Sequence, residues 1–181
     1  ESYENLQRAT QAIVAEMPES RVDGFLAAGH AATITGWGIF EAFVERHKIP
    51  VVVAGFEPTD LLQSVLMVLT QIAEGRAAVE NQYARVVPEH GNPVSLAAIA
   101  DVYERRPSFE WRGLGWVPDS GLQIREKYAD YDAEKRFELP YQSVADHPAC
   151  ECSAIIRGVK KPLDCKVFGT VCTPDNPIGS C

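Results

Sequence analysis

The sequence predicts an α/β protein: a Rossmann-like parallel sheet of βαβ units over residues 1–139, followed by a small irregular cysteine-rich module over 140–181. Three observations carry this. Strand-like and helix-like segments alternate over residues 22–74. Residues 49–54 hold three consecutive valines closed by Gly55, the kind of continuous β-branched run that suits a sheet covered on both faces. All five cysteines, Cys150, Cys152, Cys165, Cys172 and Cys181, lie after residue 149.

In order along the chain, residues 1–18 predict an amphipathic helix, with Leu6, Ala9, Ile13 and Met17 at helical spacing. Residues 22–28 predict a buried strand ending at Gly29-His30. Residues 37–46 predict a helix with Ile39, Phe40 and Phe43 inward. Residues 58–74 predict a largely buried helix, because Leu61, Leu62, Val65, Leu66, Val68, Leu69 and Ile72 cover more than one face. Pro58 fits its first position, where a missing N–H is harmless. Two loops, 29–36 (GHAATITG) and 55–60 (GFEPTD), then fall at the carboxyl ends of the two strands, where open α/β sheets bind ligands. Further on, residues 79–87 predict a strand or edge segment, 94–103 a short helix, and 109–117 a strand turned by residues 118–121. Residues 124–137 are charged and partly helical, and prolines at 140, 148, 162, 174 and 177 break any longer element. Trp111 and Trp116 are expected in packed surroundings.

Composition narrows the function. The 181 residues carry a formal net charge of -8, which argues against a general nucleic-acid binder. The apolar share of 46% supplies a core, yet no run is long enough to span a bilayer. The first residues are polar and show no signal-peptide pattern, so a cytoplasmic location is expected. No G-x-G-x-x-G, Walker or G-x-S-x-G motif is present.

The cysteines are the strongest chemical signal. From Cys152 the gaps are twelve, six and eight residues, with glycine and proline between. A set of soft thiolates suits an iron–sulfur cluster or zinc. Structural zinc sites usually contain a tight C-x2–4-C pair, which is absent here, so wide spacing favours a cluster. Lys160, Lys161, Lys166 and Arg157 would offset its negative charge. A zinc-stabilised α/β protein and a thiol–disulfide redox protein remain the alternatives, the latter using Cys150 and Cys152. Elsewhere, His30 after the first strand and Glu57 before the second helix are candidate cleft-facing residues, against the plainer readings of a backbone-bonded histidine and a helix-capping carboxylate. Asp60 reads as a first-turn charge, Thr33 and Thr35 as loop hydrogen-bonders, and Asn81 and Gln82 as polar residues lining or satisfying backbone. His47, His90 and His147 read as surface residues.

The stretch RGVKKPLDCKVFGTVCTPDNPIGSC, preceded in order by GFLAAGHAATITG, IPVVVAGFEPTDLLQ, VENQYARVV and LGWVPDSGL, resembles HypD-type [NiFe]-hydrogenase maturation proteins over nearly the whole chain. The resemblance implies two α/β domains facing across a cleft and a small domain that binds a [4Fe-4S] cluster. Its ligands would be Cys152, Cys165, Cys172 and Cys181, with Cys150 a neighbour. It implies a scaffold for building the Fe(CN)2CO group, holding a transient iron with CN and CO ligands together with a HypC-type chaperone, and receiving cyanide from a HypE-type donor. The cluster would supply electrons. The family's N-terminal glycine- and cysteine-rich motif and the residues that usually follow the last cluster cysteine are not found here, so the chain is expected to be the C-terminal half of a longer protein, truncated in its cluster module.

Overall fold

The computed structural model describes residues 19–111, 113–139, 142, 143, 145 and 147–179. The helix expected over residues 1–18, the start of the module at 140 and the last cysteine lie outside these. The chain forms two compact units: the first holds residues 23–102, and the second holds 19–22 together with the described residues after 102.

The first unit is built on three parallel strands, β1 (Phe25–Ala28), β2 (Val51–Ala54) and β3 (Val79–Asn81), in the order β1-β2-β3. Phe25 pairs with Val51, and Val51 with Val79. All four residues of β2 are buried, as a central strand covered on both faces requires. β1 lies at the edge, which leaves Leu26 44% exposed. The core around β2 is completed by Ala32, Phe40, Phe43, Val44 and Val87, with Phe43 edge-on to Phe25 at 5.6 Å between ring centroids.

The segment GHAATITG is not a loop. It forms helix α1 (Gly29–Thr35), starting directly off β1. Its two glycines bracket the helix instead of breaking it. Residues 30–35 contain neither Gly nor Pro, and Gly36 ends the helix in the left-handed region at φ 86°. Thr33 and Thr35 bond the helix's own carbonyls at His30 and Ala31. A 3-10 turn (Gly38–Phe40) leads into α2 (Glu41–His47), which stops at Lys48 in the left-handed conformation. After β2, Pro58 opens α3 (Pro58–Ala73) as expected. β3 ends at Asn81, earlier than the run to Val87 suggested, and a turn follows in which Val87 N–H bonds the Tyr83 carbonyl. Helix α4 (Pro93–Val102) is capped by Asn92, whose side-chain oxygen accepts from Val94 and Ser95 N–H at 3.0 and 3.1 Å.

The burial expected for α3 is reversed. Asp60, Ser64 and Gln71 are its buried residues, whereas Leu61, Leu62, Val65, Leu66, Leu69 and Ile72 stand outward and Val68 is half-buried toward Gly24. The polar residues face inward because each finds a hydrogen-bond partner there, Asp60 in the side chains of Arg85 and Gln82. Ser64 Oγ donates to the Asp60 carbonyl, and Gln71 Oε1 accepts from Ala78 N–H at 2.8 Å, just ahead of β3.

The second unit carries two antiparallel pairs. β4 (Tyr103–Arg105) pairs with β7 (Leu122–Ile124), and β5 (Ser108–Trp111) with β6 (Gly115–Pro118). The run FEWRGLGWV is thus a hairpin and not one strand: Gly113 and Gly115 both take positive φ, and Leu114 N–H returns to the Trp111 carbonyl. Trp111 is half-buried and donates to Ser120 Oγ, which donates in turn to the Val117 carbonyl. Trp116 stands 59% exposed, so it is no part of this core. A 3-10 segment (Glu126–Tyr131) and α5 (Ala133–Arg136), capped by Asp132, follow. In the cysteine region the described residues form α6 (Cys152–Ile156), a 3-10 turn (Pro162–Asp164) and tight turns. Among the described residues no helix is long and apolar enough to cross a membrane.

Candidate functional site

The first unit gathers polar chemistry at the carboxyl ends of β1 and β2. Each strand is followed at once by glycine, and the ring of Tyr83 explains both. A Cβ at Gly29 would stand 2.4 Å from the Ala54 carbonyl oxygen and 2.6 Å from Tyr83 Cδ1; one at Gly55 would stand 2.2 Å from Asp60 Oδ2 and 2.9 Å from Tyr83 Cδ2. Only glycine lets the two strand ends close on that ring.

Arg85 lies over the Tyr83 ring, its guanidinium carbon 4.5 Å from the centroid. It binds Asp60 through both terminal nitrogens, Nη1 to Oδ1 at 3.0 Å and Nη2 to Oδ2 at 2.5 Å, and Nη2 reaches Glu57 at 3.0 Å. Gln82 completes the set, donating to Asp60 Oδ1 at 2.8 Å and accepting from Gly55 N–H at 3.2 Å. The Arg85 hydrogen bonds, joined by that of Gln82, hold the Asp60 carboxyl well below the usual carboxylate range; Arg85 is held correspondingly above its own. The loop after β2 is therefore clamped to the turn after β3.

His30 and Glu57 sit at this edge. His30 is exposed on the first turn of α1, its ring 5.0 Å from that of Phe56, the residue before Glu57. Glu57 occupies the N-cap position of α3 but its carboxylate makes no capping bond; it goes to Arg85 instead. Asn81, at the end of β3, donates to the Val87 carbonyl, while its buried Oδ1 has no partner among the described residues. The sequence reading missed Arg85 and the role of Tyr83. Both lie in VENQYARVV, where polar residues inside a strand-like run were the available signal. His90 and His147 are exposed, and His47 is half-buried against Phe43, its pKa lowered by burial and by Arg46.

The second unit holds the cysteines. Cys152 and Cys165 are buried, and Cys150 and Cys172 half-buried. Three of these thiols meet one dipeptide. Ile178 N–H donates to Cys172 Sγ at 3.3 Å, and a Cβ at Gly179 would fall 2.3 Å from Cys152 Sγ and 2.4 Å from Cys150 Sγ. The glycine is needed for both sulfurs to press on the backbone. Cys165 follows the Pro162–Asp164 turn and accepts from Phe168 N–H through its carbonyl. Cys181 is outside the described residues. Among those described, no group of three or more His, Cys, Asp or Glu is arranged to hold a metal ion. The donor set nonetheless fits a thiophilic group: soft ligands in shielded positions, with a backbone N–H turned to one sulfur, a contact that tunes metal-bound thiolates. Of the expected neutralising cations, Lys160 pairs with Glu151, and Arg157 lies 3.6 Å from Glu19. The Lys160 pKa is raised, first by Glu151 and further by Asp164 and Cys165.

Comparison with known proteins adds to this geometry. The family model HypD, described as "Hydrogenase formation hypA family", matches residues 2–181. The chain is 57% identical over 167 residues to a hydrogenase maturation factor HypD of Rhodobacter capsulatus, covering 90% of this chain and 44% of that protein. It is 55% identical over 161 residues to the HypD of Rhizobium leguminosarum bv. viciae, covering 89% and 42%. It is 51% identical over 178 residues to a hydrogenase expression/formation protein HupD of Azotobacter chroococcum, covering 96% and 47%. The chain thus spans a little under half the length of these relatives.

Proposed function

Since the chain belongs to the HypD family of hydrogenase formation proteins, we propose that it supplies the cluster-binding part of a maturation scaffold for the Fe(CN)2CO group of [NiFe] hydrogenases. The observation that carries this reading is the meeting of the Cys150, Cys152 and Cys172 sulfurs on Ile178-Gly179, two residues before Cys181. Cys152, Cys165, Cys172 and Cys181 hold a [4Fe-4S] cluster in this proposal, and Cys150 stands beside them. The cluster, when bound, supplies electrons for the redox steps of iron assembly. Gly179 keeps the backbone close against the thiols, and Ile178 N–H stabilises charge on the Cys172 sulfur.

In the first unit, His30 and Glu57 act beside the iron under assembly. Arg85 orients the Glu57 carboxylate through its Nη2, 3.0 Å away. The transient iron with its CN and CO ligands is substrate. Its proposed partners are a HypC-type chaperone and a HypE-type cyanide donor, and the proposed setting is the cytoplasm.

The decisive measurement is metal content with acid-labile sulfide on protein purified without oxygen. Four irons with matching sulfide and visible charge-transfer absorbance are expected. Stoichiometric zinc without iron would overturn the proposal. The closeness of the Cys150 and Cys152 sulfurs favours a second reading, a thiol–disulfide pair; a colourless, metal-free protein with a reducible bridge between them would support it.

A further inference from the structure

Helix α3 buries polar residues and leaves most of its leucines outward, with only Val68 among its large aliphatic residues turned toward Gly24. Its buried residues are Asp60, Ser64 and Gln71, all under 10% exposed: Asp60 accepts from Arg85, Gln71 from Ala78 N–H, and Ser64 donates to the Asp60 carbonyl of its own helix. Its outward residues are Leu62 at 72% exposed, Leu66 at 65%, Leu69 at 55%, and Leu61, Val65 and Ile72 at 41–42%. From Leu61 to Ala73 the helix carries no Asp, Glu, Lys or Arg. Leu62, Leu66 and Leu69 follow the i, i+4, i+7 spacing of a helix-packing stripe. A surface helix normally shows the opposite arrangement, and an uncharged patch of this kind is a contact surface in a working protein.

Two observations decide what covers it. The relatives extend well beyond this sequence, which spans 42–47% of their length, so more than half of a family chain lies outside it. That is enough for a further domain tethered to this one, at a high effective concentration. A second copy is the weaker fit. Sixteen helical residues are ~24 Å long and ~10 Å wide, a footprint of about 250 Å², whereas a stable dimer buries ~800 Å² per partner. Two copies would also each bring a net charge of -8.

We propose that the outward face of α3 is an intramolecular interface, covered in full-length family proteins by an uncharged apolar helical surface from the part of the chain that this sequence does not span. The proposal does not rest on the metal reading.

The test compares the 181-residue chain with a chimera in which it replaces the matching stretch of the Rhodobacter capsulatus relative. Leu66→Cys is labelled with a maleimide and read by peptide mass, with Val94→Cys as the exposed reference. In the 181-residue chain the two sites should label within about threefold of each other; in the chimera Leu66→Cys should slow by tenfold or more. Hydrogen–deuterium exchange of α3 in the unsubstituted proteins gives the same comparison, and protection should rise in the chimera. Equal labelling and exchange in both proteins would overturn the proposal. Protection already present in the 181-residue chain would overturn it too. If that protection is lost on dilution, the cover is a second copy; if it is lost on removing residues 1–18, the cover is that segment. As a further check, Leu62→Lys with Leu66→Lys should leave the unfolding midpoint of the 181-residue chain unchanged and lower that of the chimera.

Discussion

Arg85 grips Asp60 with both ends of its guanidinium, Nη1 to Oδ1 at 3.0 Å and Nη2 to Oδ2 at 2.5 Å, across 25 residues of sequence. Asp60 belongs to the first turn of α3 and Arg85 to the turn after β3, so this fork ties two loops at the carboxyl edge of the sheet. Bidentate geometry of this kind is directional as well as strong.

The fork has a pH signature. The Asp60 pKa is lowered in the folded protein, chiefly by Arg85. The folded state therefore binds the proton more weakly than the unfolded state does. The stability it contributes is complete above the unfolded carboxylate pKa, about 4, and is lost as pH falls toward the folded value. Denaturant unfolding from pH 6 down to pH 2 should show stability falling along this acid limb. Asp60→Asn should be less stable at pH 6 and show a shallower fall. Parallel curves for the two proteins would mean that Asp60 does not set the acid response.

Gly29 is predicted to be intolerant for steric reasons. Its added Cβ would meet the Ala54 carbonyl oxygen at 2.4 Å, and a backbone atom in a buried central strand cannot swing aside. Gly29→Ala should cost about 1–3 kcal/mol, the range for overpacking. Gly75 offers the contrast: it has φ 64° and nothing within 4 Å of its Cβ position, so Gly75→Ala meets only the left-handed strain of about 1–2 kcal/mol. The two are separated by adding Tyr83→Ala, which removes the other close neighbour. That change should recover part of the Gly29→Ala loss in urea denaturation and none of the Gly75→Ala loss.

The fold was legible where one local signal suffices. Val51, Val52 and Val53 read as a central parallel strand because β-branching and continuous burial go together. Pro58 marked a helix start because its chemistry is local. Helix α1 was not legible as such: Gly29 and Gly36 look like loop residues until Tyr83 and the left-handed cap explain them. The burial of α3 was misread because apolar content reports how much surface seeks cover, not which neighbour supplies it. Asp60 faces inward only because Arg85 and Gln82 meet it there. At the cysteines, composition suggested a thiol site, but the spacing could not show that Cys150 shares Gly179 with Cys152.

That shared glycine sharpens the ligand prediction. With Cys165 buried and a ligand in the proposed reading, Cys165→Ala should abolish iron and sulfide in anaerobically purified protein. Cys150→Ala should retain both, with unchanged visible absorbance. Gly179→Ala should lower iron loading strongly, since its methyl group would occupy the space of two sulfurs. Loss of iron in Cys150→Ala with retention in Cys165→Ala would exchange their roles.

The carboxyl edge of the sheet carries the last prediction. His30 is exposed beside Phe56, Glu57 is held by Arg85, and the cysteine region belongs to the other unit. His30→Gln and Glu57→Gln, introduced into a full-length family protein carrying this sequence, should each lower hydrogenase maturation in cells by about a hundredfold or more, the range for loss of a positioned proton-transfer group. Iron and sulfide content should stay at the parent level. Arg85→Lys gives a graded case: an ammonium keeps the charge but loses the fork, so Glu57 is less well oriented and maturation should fall between the parent and Glu57→Gln. If all three variants mature hydrogenase normally, the edge clamps loops together and His30 and Glu57 have no part in the chemistry. If maturation falls only together with iron content, these residues support the protein's assembly and not the step on the transient iron.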